Sequence, residues 1–122
     1  MNSKEFYEKL KEKMDEYAHF IYQISRKFPS DELYGMTSQI RRASLSVILN
    51  FIEGFARFRK TVQYNFFEIS YGSLKESKYL LHFSLVEKYI LKEEYNKGAK
   101  MADEIGAMLW SIIRGLKNDI KK

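Results

Sequence analysis

Gln39-Ile40-Arg41-Arg42-Ala43-Ser44-Leu45-Ser46-Val47-Ile48-Leu49-Asn50-Phe51-Ile52-Glu53-Gly54-Phe55 is the stretch whose pattern decides the fold. At about 100° per residue, Gln39, Arg42, Ser46, Asn50 and Glu53 form one narrow polar stripe that continues to Arg57. Ile40, Ala43, Val47, Phe51 and Gly54 lie on one side of the stripe; Leu45, Ile48, Leu49, Ile52, Phe55 and Ala56 lie on the other. A peripheral helix in a lone bundle needs a single apolar stripe. This one carries two, which predicts a helix over about 37–58 that is buried on two fronts.

Before it, Tyr7, Leu10, Met14, Tyr17, Ile21, Ile24 and Phe28 recur at alternating steps of three and four, the seam of a long helix. Pro29 should end that helix, because the residue before a proline is pushed out of the α region. Ser30-Asp31-Glu32 offers a short turn, Gly35 an interruption, and Thr37 or Ser38 a cap for the second helix. After it, Thr61 can cap a third helix over about 61–87. Its main stripe is Phe67, Tyr71, Leu74, Leu81 and Leu85, widened by Phe66, Tyr79 and Phe83. Beyond Lys88-Tyr89-Ile90, a fourth helix over about 92–117 carries Tyr95, Ala99, Ala102, Ile105, Leu109, Ile112 and Leu116. Gly98, Gly106 and Gly115 each cost about 1 kcal/mol in a helix interior, which predicts close helix contacts there. Four helices with short connections predict an all-α, antiparallel up-down-up-down four-helix bundle.

Composition narrows the function classes. A chain of 122 residues suits one domain, 1–122. With 45% hydrophobic and 30% charged residues it can fill a core and cover it, which a disordered tail cannot. It has no cysteine and two histidines, so thiolate chemistry and a histidine-rich metal site are excluded, and no metal or cofactor is expected. No apolar run reaches the roughly 18 to 20 residues of a membrane span and no signal peptide opens the chain, so a cytoplasmic location without membrane contact is expected.

Residues 28–44, Phe-Pro-Ser-Asp-Glu-Leu-Tyr-Gly-Met-Thr-Ser-Gln-Ile-Arg-Arg-Ala-Ser, continue through Ser46 to Asn50, Glu53 and Gly54, and are followed by Asn65-Phe66-Phe67-Glu68-Ile69-Ser70-Tyr71-Gly72-Ser73-Leu74. Together they resemble the four-helix-bundle proteins encoded in intervening sequences of bacterial large-subunit ribosomal RNA genes, which carry an older label as ribosomal proteins. The accessory variability protein of diversity-generating retroelements belongs to the same superfamily. The resemblance covers about residues 17–116. Ile52 replaces the alanine of the usual Asn-Ile-Ala-Glu-Gly pattern and adds bulk on the second apolar front. Residues 9–13 lack the tryptophan-containing opening, and Lys92 stands where a serine commonly caps the last helix. The resemblance implies a homopentameric ring of bundles without known catalytic activity. For the retroelement relative it implies a basic surface that engages a reverse transcriptase and nucleic acid.

The charge is unevenly placed. Residues 1–38 carry 6 basic and 7 acidic side chains, residues 39–66 carry 5 and 1, and residues 67–122 carry 10 and 8. Nearly all of the net +5 therefore belongs to Arg41, Arg42, Arg57, Arg59 and Lys60. Arginine forks and counterion release suit such residues to phosphates, and a ring would repeat the patch. Solvated charge or pairing with carboxylates across subunits is the alternative.

Gln39, Asn50 and Glu53, with Leu45, Leu49, Ile52 and Phe55, read as a subunit interface and polar network. A lone carboxylate beside no nucleophile makes no catalytic site. His19 and His82 have no partner at ligand spacing. Of the 9 tyrosines and 9 phenylalanines most fall at core spacing, leaving Tyr34, Phe58 and Tyr64 as candidates for base stacking. The expected function is a non-enzymatic oligomeric nucleic-acid-binding or scaffold protein, with RNA or DNA and a nucleic-acid enzyme as partners. A purely structural oligomer or protein-interaction module is the alternative.

Overall fold

Asn2 opens the first helix: its side-chain carbonyl accepts from the Glu5 N–H at 2.9 Å and its amide donates to the Glu5 carboxylate at 3.0 Å. This reciprocal cap starts the helix earlier than the Tyr7 seam indicates. In the computed structural model, which describes residues 2–122, the chain forms α1 (Ser3–Ser25), a single 3-10 turn (Ser30–Glu32), α2 (Met36–Phe55), α3 (Lys60–Val86) and α4 (Lys92–Lys121). Among the described residues there is no strand, and no helix is long and apolar enough to cross a membrane.

The four helices form a bundle in which α1 packs on α2 and α4, and α3 packs on the same two helices. Tyr7, near the start of α1, lies against Phe51 and Phe55 near the end of α2, with ring centroids 5.8 and 4.7 Å away. Arg41, early in α2, reaches Ser25 at the end of α1. Ser46 and Val47 of α2 meet Ser73 and Ser70 of α3, while Lys78 and Tyr71 of α3 meet Asp103 and Trp110 of α4.

One cluster of apolar side chains fills the space between all four helices. Leu10, Met14, Tyr17 and Ile21 of α1 enter it with Ile40, Val47 and Phe51 of α2. Phe67, Leu74 and Leu81 of α3 and Ile105 and Leu109 of α4 complete it. Each such side chain contributes roughly 1.5–3 kcal/mol on burial.

The helix termini are set by packing more than by caps. α1 stops at Ser25, three residues before the expected end, because the chain turns to bury Phe28 against Tyr89, with centroids 5.4 Å apart. α2 begins at Met36, so Thr37 lies buried inside the first turn rather than capping it. α3 begins at Lys60, with no side-chain cap from Thr61. At α4 the Leu91 N–H donates to the Glu94 carboxylate at 2.8 Å, which satisfies the end without a capping hydroxyl. α4 runs to Lys121, four residues beyond the expected end at 117.

Small residues let α2 and α3 approach closely. A Cβ at Gly54 would stand 2.6 Å from Cε1 of Phe67, so only glycine leaves room for that ring. Ser70 donates to the Val47 carbonyl across the interface at 2.6 Å. Gly98 is likewise enclosed by Leu81 and Phe20. The close contact expected at Gly115 is absent: a Cβ there, as at Gly72, would meet nothing within 4 Å. Tyr79 and Phe83, expected to widen the core stripe of α3, are exposed instead, and Ser77 and Ser84 take the buried positions beside them.

α3 ends in a Schellman motif: the Tyr89 N–H donates to the Ser84 carbonyl and the Lys88 N–H to the Leu85 carbonyl. Lys88 occupies the left-handed position at φ 65°, which costs a residue with a Cβ about 1 kcal/mol. Lys88→Gly should therefore stabilise the protein by about 1 kcal/mol, read as a higher denaturant midpoint at unchanged slope. A lower midpoint would show that the Lys88 side chain contributes more than its backbone costs.

Tyr17 is fully buried and its hydroxyl shares a 2.8 Å hydrogen bond with Ser77. Burial pushes its phenol from 10.0 up to about 12. The folded state thus holds the proton more tightly, so this contribution is complete below about pH 10 and is lost as pH rises toward 12. Tyr17→Phe should flatten the loss of stability between about pH 10 and 12, measured by urea denaturation at each pH. An unchanged slope with pH would assign alkaline unfolding to other groups.

Candidate nucleic-acid interface

The second apolar side of α2 is only partly covered within the bundle: Ile48 packs against the core and Phe55 against Tyr7. Leu49 is 57% exposed, Ile52 44% and Phe55 47%, while Leu45 and Ile48 are half-buried. Leu45 and Leu49 line an open groove of about 660 Å³ with Leu33, Tyr34, Arg41 and Arg42. The opposite side, Ile40, Ala43, Val47, Phe51 and Gly54, is buried. The polar stripe between them divides. Asn50 donates from one amide to the carbonyl and the hydroxyl of Ser46, both at 2.9 Å, and Ser46 bonds Ser73 of α3 at 2.8 Å. Gln39 and Glu53 lie outside that network: Gln39 is exposed, and Glu53 pairs with Arg57 at 2.6 Å.

The five cations of residues 39–66 occupy two places. Arg41 is held inward: its Nε donates to Ser25 Oγ at 2.8 Å and its guanidinium stacks 4.7 Å from the Tyr22 ring centroid. Arg42 beside it is exposed. Arg57, Arg59 and Lys60 stand at the other end of α2, roughly 20 Å away at 1.5 Å per residue. There Arg57 also lies 5.1 Å over Phe66, and its carbonyl accepts from Gln63. Arg59 makes no ion pair among the described residues. Lys60 reaches Asp119 of α4 at 3.4 Å.

That contact brings the start of α3 to the last turns of α4, another face of which carries a second set of cations. Trp110, Arg114, Lys117 and Lys121 recur on α4 at steps of four, three and four, so they share one face. With Tyr64, Tyr71 and Gly72 of α3 they border a groove of about 680 Å³. Counting charge by segments hides these residues, because the 8 acidic side chains of residues 67–122 offset most of the 10 basic ones. Their helical spacing is the signal that would have found them. Of the stacking candidates, Phe58 and Tyr34 are almost fully exposed, on opposite ends of α2, and Tyr64 lies in the α3/α4 groove. Burial and then the Glu68 carboxylate raise the Tyr64 hydroxyl, which stays a neutral phenol.

Family comparison assigns this bundle. The family model for 23S rRNA-intervening sequence proteins matches residues 7–111. The chain belongs to that family. Among solved structures it is similar to a protein of unknown function from the S23 ribosomal protein family of Bacteroides thetaiotaomicron, with a TM-score of 0.83 and 24% identity. The match covers 89% of this chain and 98% of that one, and at this identity it supports the shared fold alone. No curated protein matches the chain. Neither the intervening-sequence family nor the S23 structure is described by an enzymatic activity.

In this member of the intervening-sequence family, Arg41 bonds the end of α1 through a buried hydroxyl and stacks on an aromatic ring. Arg41→Ala should lower stability by about 1–2 kcal/mol in a denaturant titration, whereas Arg42→Ala should leave it within about 0.5 kcal/mol. Equal losses at both positions would show that Arg41 does not anchor α1 to α2.

Proposed function

We propose that the protein is a non-enzymatic, oligomeric nucleic-acid-binding protein. In this reading its helices follow an antiparallel up-down-up-down course as one domain, and copies close into a homopentameric ring through the exposed side of α2. The observation that carries the binding function is the cationic end of the bundle, where Arg57, Arg59 and Lys60 stand between α2 and α3 and where α4, carrying Arg114, Lys117 and Lys121 on another face, ends. Contact between Lys60 and Asp119 brings the start of α3 to the last turns of α4. Arginine and lysine at such a surface position phosphates without reading bases, and each neutralised phosphate releases counterions. The family's name, which places its members in intervening sequences of 23S rRNA, agrees with an RNA-associated role. Arg42 adds a further exposed cation beside the assembly face, while Arg41 serves the fold.

Ring closure is supported by the three side chains Leu49, Ile52 and Phe55, each about half exposed on one helix face. Exposed apolar surface of this continuity marks an interaction site. A nucleic-acid enzyme is the protein partner that fits a ring presenting five such cationic ends.

The alternative, a structural oligomer with no nucleic-acid role, draws on the ion pairs of Arg57 with Glu53 and Lys60 with Asp119. Both pairs are surface-exposed and contribute about 0–1 kcal/mol each, so phosphates can compete for these cations.

Native mass and salt-dependent RNA binding test both halves of the proposal. The nuclease-treated protein should run near five chains, and Leu49→Glu with Ile52→Glu should reduce it toward one while helicity is kept. Replacing Arg57, Arg59 and Lys60 by alanine should leave the ring intact and lower the log–log salt slope of binding by about two to three. A ring that dissociates in this triple variant would favour the structural reading. Salt-insensitive or absent binding by the intact ring would end the nucleic-acid one.

A further inference from the structure

We propose that the groove between α3 and α4 is a stacking slot for an unpaired base of RNA or DNA, with the flanking phosphates held by Arg114, Lys117 and Lys121. The inference rests on the nucleic-acid reading above and narrows it from phosphate contact to a preference for single strands.

Three observations converge on this groove. The first is Trp110, which stands 48% exposed at the groove although the bundle's core lies one helix face away. Its ring is tilted at 43° to Tyr71, with centroids 5.6 Å apart, and Lys75 Nζ lies 5.2 Å from the Tyr71 centroid. Tyr71 is half-buried against the core while Trp110 reaches outward from it, and both border an open space of about 680 Å³, larger than one planar base fills.

The second is Gly72, which sits inside α3 where glycine weakens a helix. A Cβ there would touch nothing within 4 Å, so no packing contact requires glycine. Its effect is to leave the groove beside Tyr71 open. The enclosed glycines Gly54 and Gly98 differ in this respect, since each has an aromatic or leucine side chain against it.

The third is charge. Arg114, Lys117 and Lys121 border the groove, and Asn118 joins them. Glu68 is the one carboxylate among the lining residues. An occupant should thus be anionic along its length and planar and apolar at intervals, which describes a single nucleic-acid strand. A duplex satisfies only the first condition, because its bases are stacked on one another and show the grooves only their edges.

Trp110 is the only tryptophan of the chain, so emission excited at the red edge, where the 9 tyrosines scarcely absorb, reports this groove alone. The full-length protein is titrated at low salt with an oligouridylate of about 12 nucleotides and with an RNA duplex of similar length. The single strand should quench Trp110 emission and bind about tenfold more tightly than the duplex. Trp110→Leu should remove most of that preference, an affinity loss of about tenfold, with duplex binding unchanged. Gly72→Leu, which fills the slot while keeping the tryptophan, should do the same, and circular dichroism checks that both variants fold.

Equal affinity for the two probes with unmoved emission, while the Arg57, Arg59 and Lys60 variant still weakens binding, would overturn the slot and leave the basic surface standing. No salt-dependent binding of either probe would overturn both. Quenching by polyglutamate but by neither RNA would make the groove a site for acidic peptides and end this proposal.

Discussion

α2 and α3 can come together as closely as they do because Gly54 has no side chain where the Phe67 ring must lie. Much of the rest follows from that approach. Phe67 reaches Phe51, with centroids 5.3 Å apart, and Tyr7 of α1 packs on both rings. The helices are then near enough for Ser70 to reach the Val47 carbonyl and for Ser46 to bond Ser73. Each of these bonds is modest, about 1 kcal/mol net, but their geometry fixes the rotation of α2 about its axis. With that rotation set, Ile40, Val47 and Phe51 point inward, and Leu49 and Ile52 have nowhere to go but out. The exposed apolar face is a consequence of how tightly the inner face is used.

This explains which features were legible in the sequence. The two sides of α2 separate cleanly in a helical projection because both are apolar and a polar stripe divides them. The seam from Tyr7 to Phe28 is legible for the same reason. The buried serines of α3 are not: Ser70, Ser77 and Ser84 are spaced by seven on a face that hydropathy alone scores as polar. They are buried because each hydroxyl finds a backbone carbonyl, of Val47, Leu74 and Leu80 respectively. A small hydroxyl whose hydrogen bond is satisfied behaves as a small core residue. Tyr79 and Phe83 are the converse, aromatic residues that a stripe model draws inward and that the serines displace to the surface. Glycine is ambiguous for a related reason. Gly98 and Gly115 look alike along α4, yet one faces Leu81 and Phe20 and the other faces open space.

The candidate site was less legible than the fold because it is assembled from the middle and the end of the sequence. Arg57, Arg59 and Lys60 stand out as a run, whereas Arg114, Lys117 and Lys121 are diluted among acidic neighbours on the other faces of α4. Folding sorts them by face. A residue count over a segment averages around the whole helix, but a ligand meets one side of it. Conversely, Arg41 and Arg42 are adjacent in sequence and point 100° apart, so one anchors α1 and the other meets solvent.

Division of labour within the bundle follows from these placements. The inner face of α2 holds the fold, its outer face serves assembly in the proposed reading, and the turn after it places charge at the end where α4 terminates. Placing cations at the last turns of α4 also suits the helix itself, since Lys117 and Lys121 oppose the partial negative charge of its C-terminus. The same residues therefore stabilise the helix when the site is empty and remain available to phosphate, because a half-charge exposed to water holds them only weakly. An acidic side chain in those positions would weaken both the helix end and the surface. Under the proposed function, stability and phosphate binding thus favour the same charge at this end of the molecule, and neither has to be sacrificed for the other.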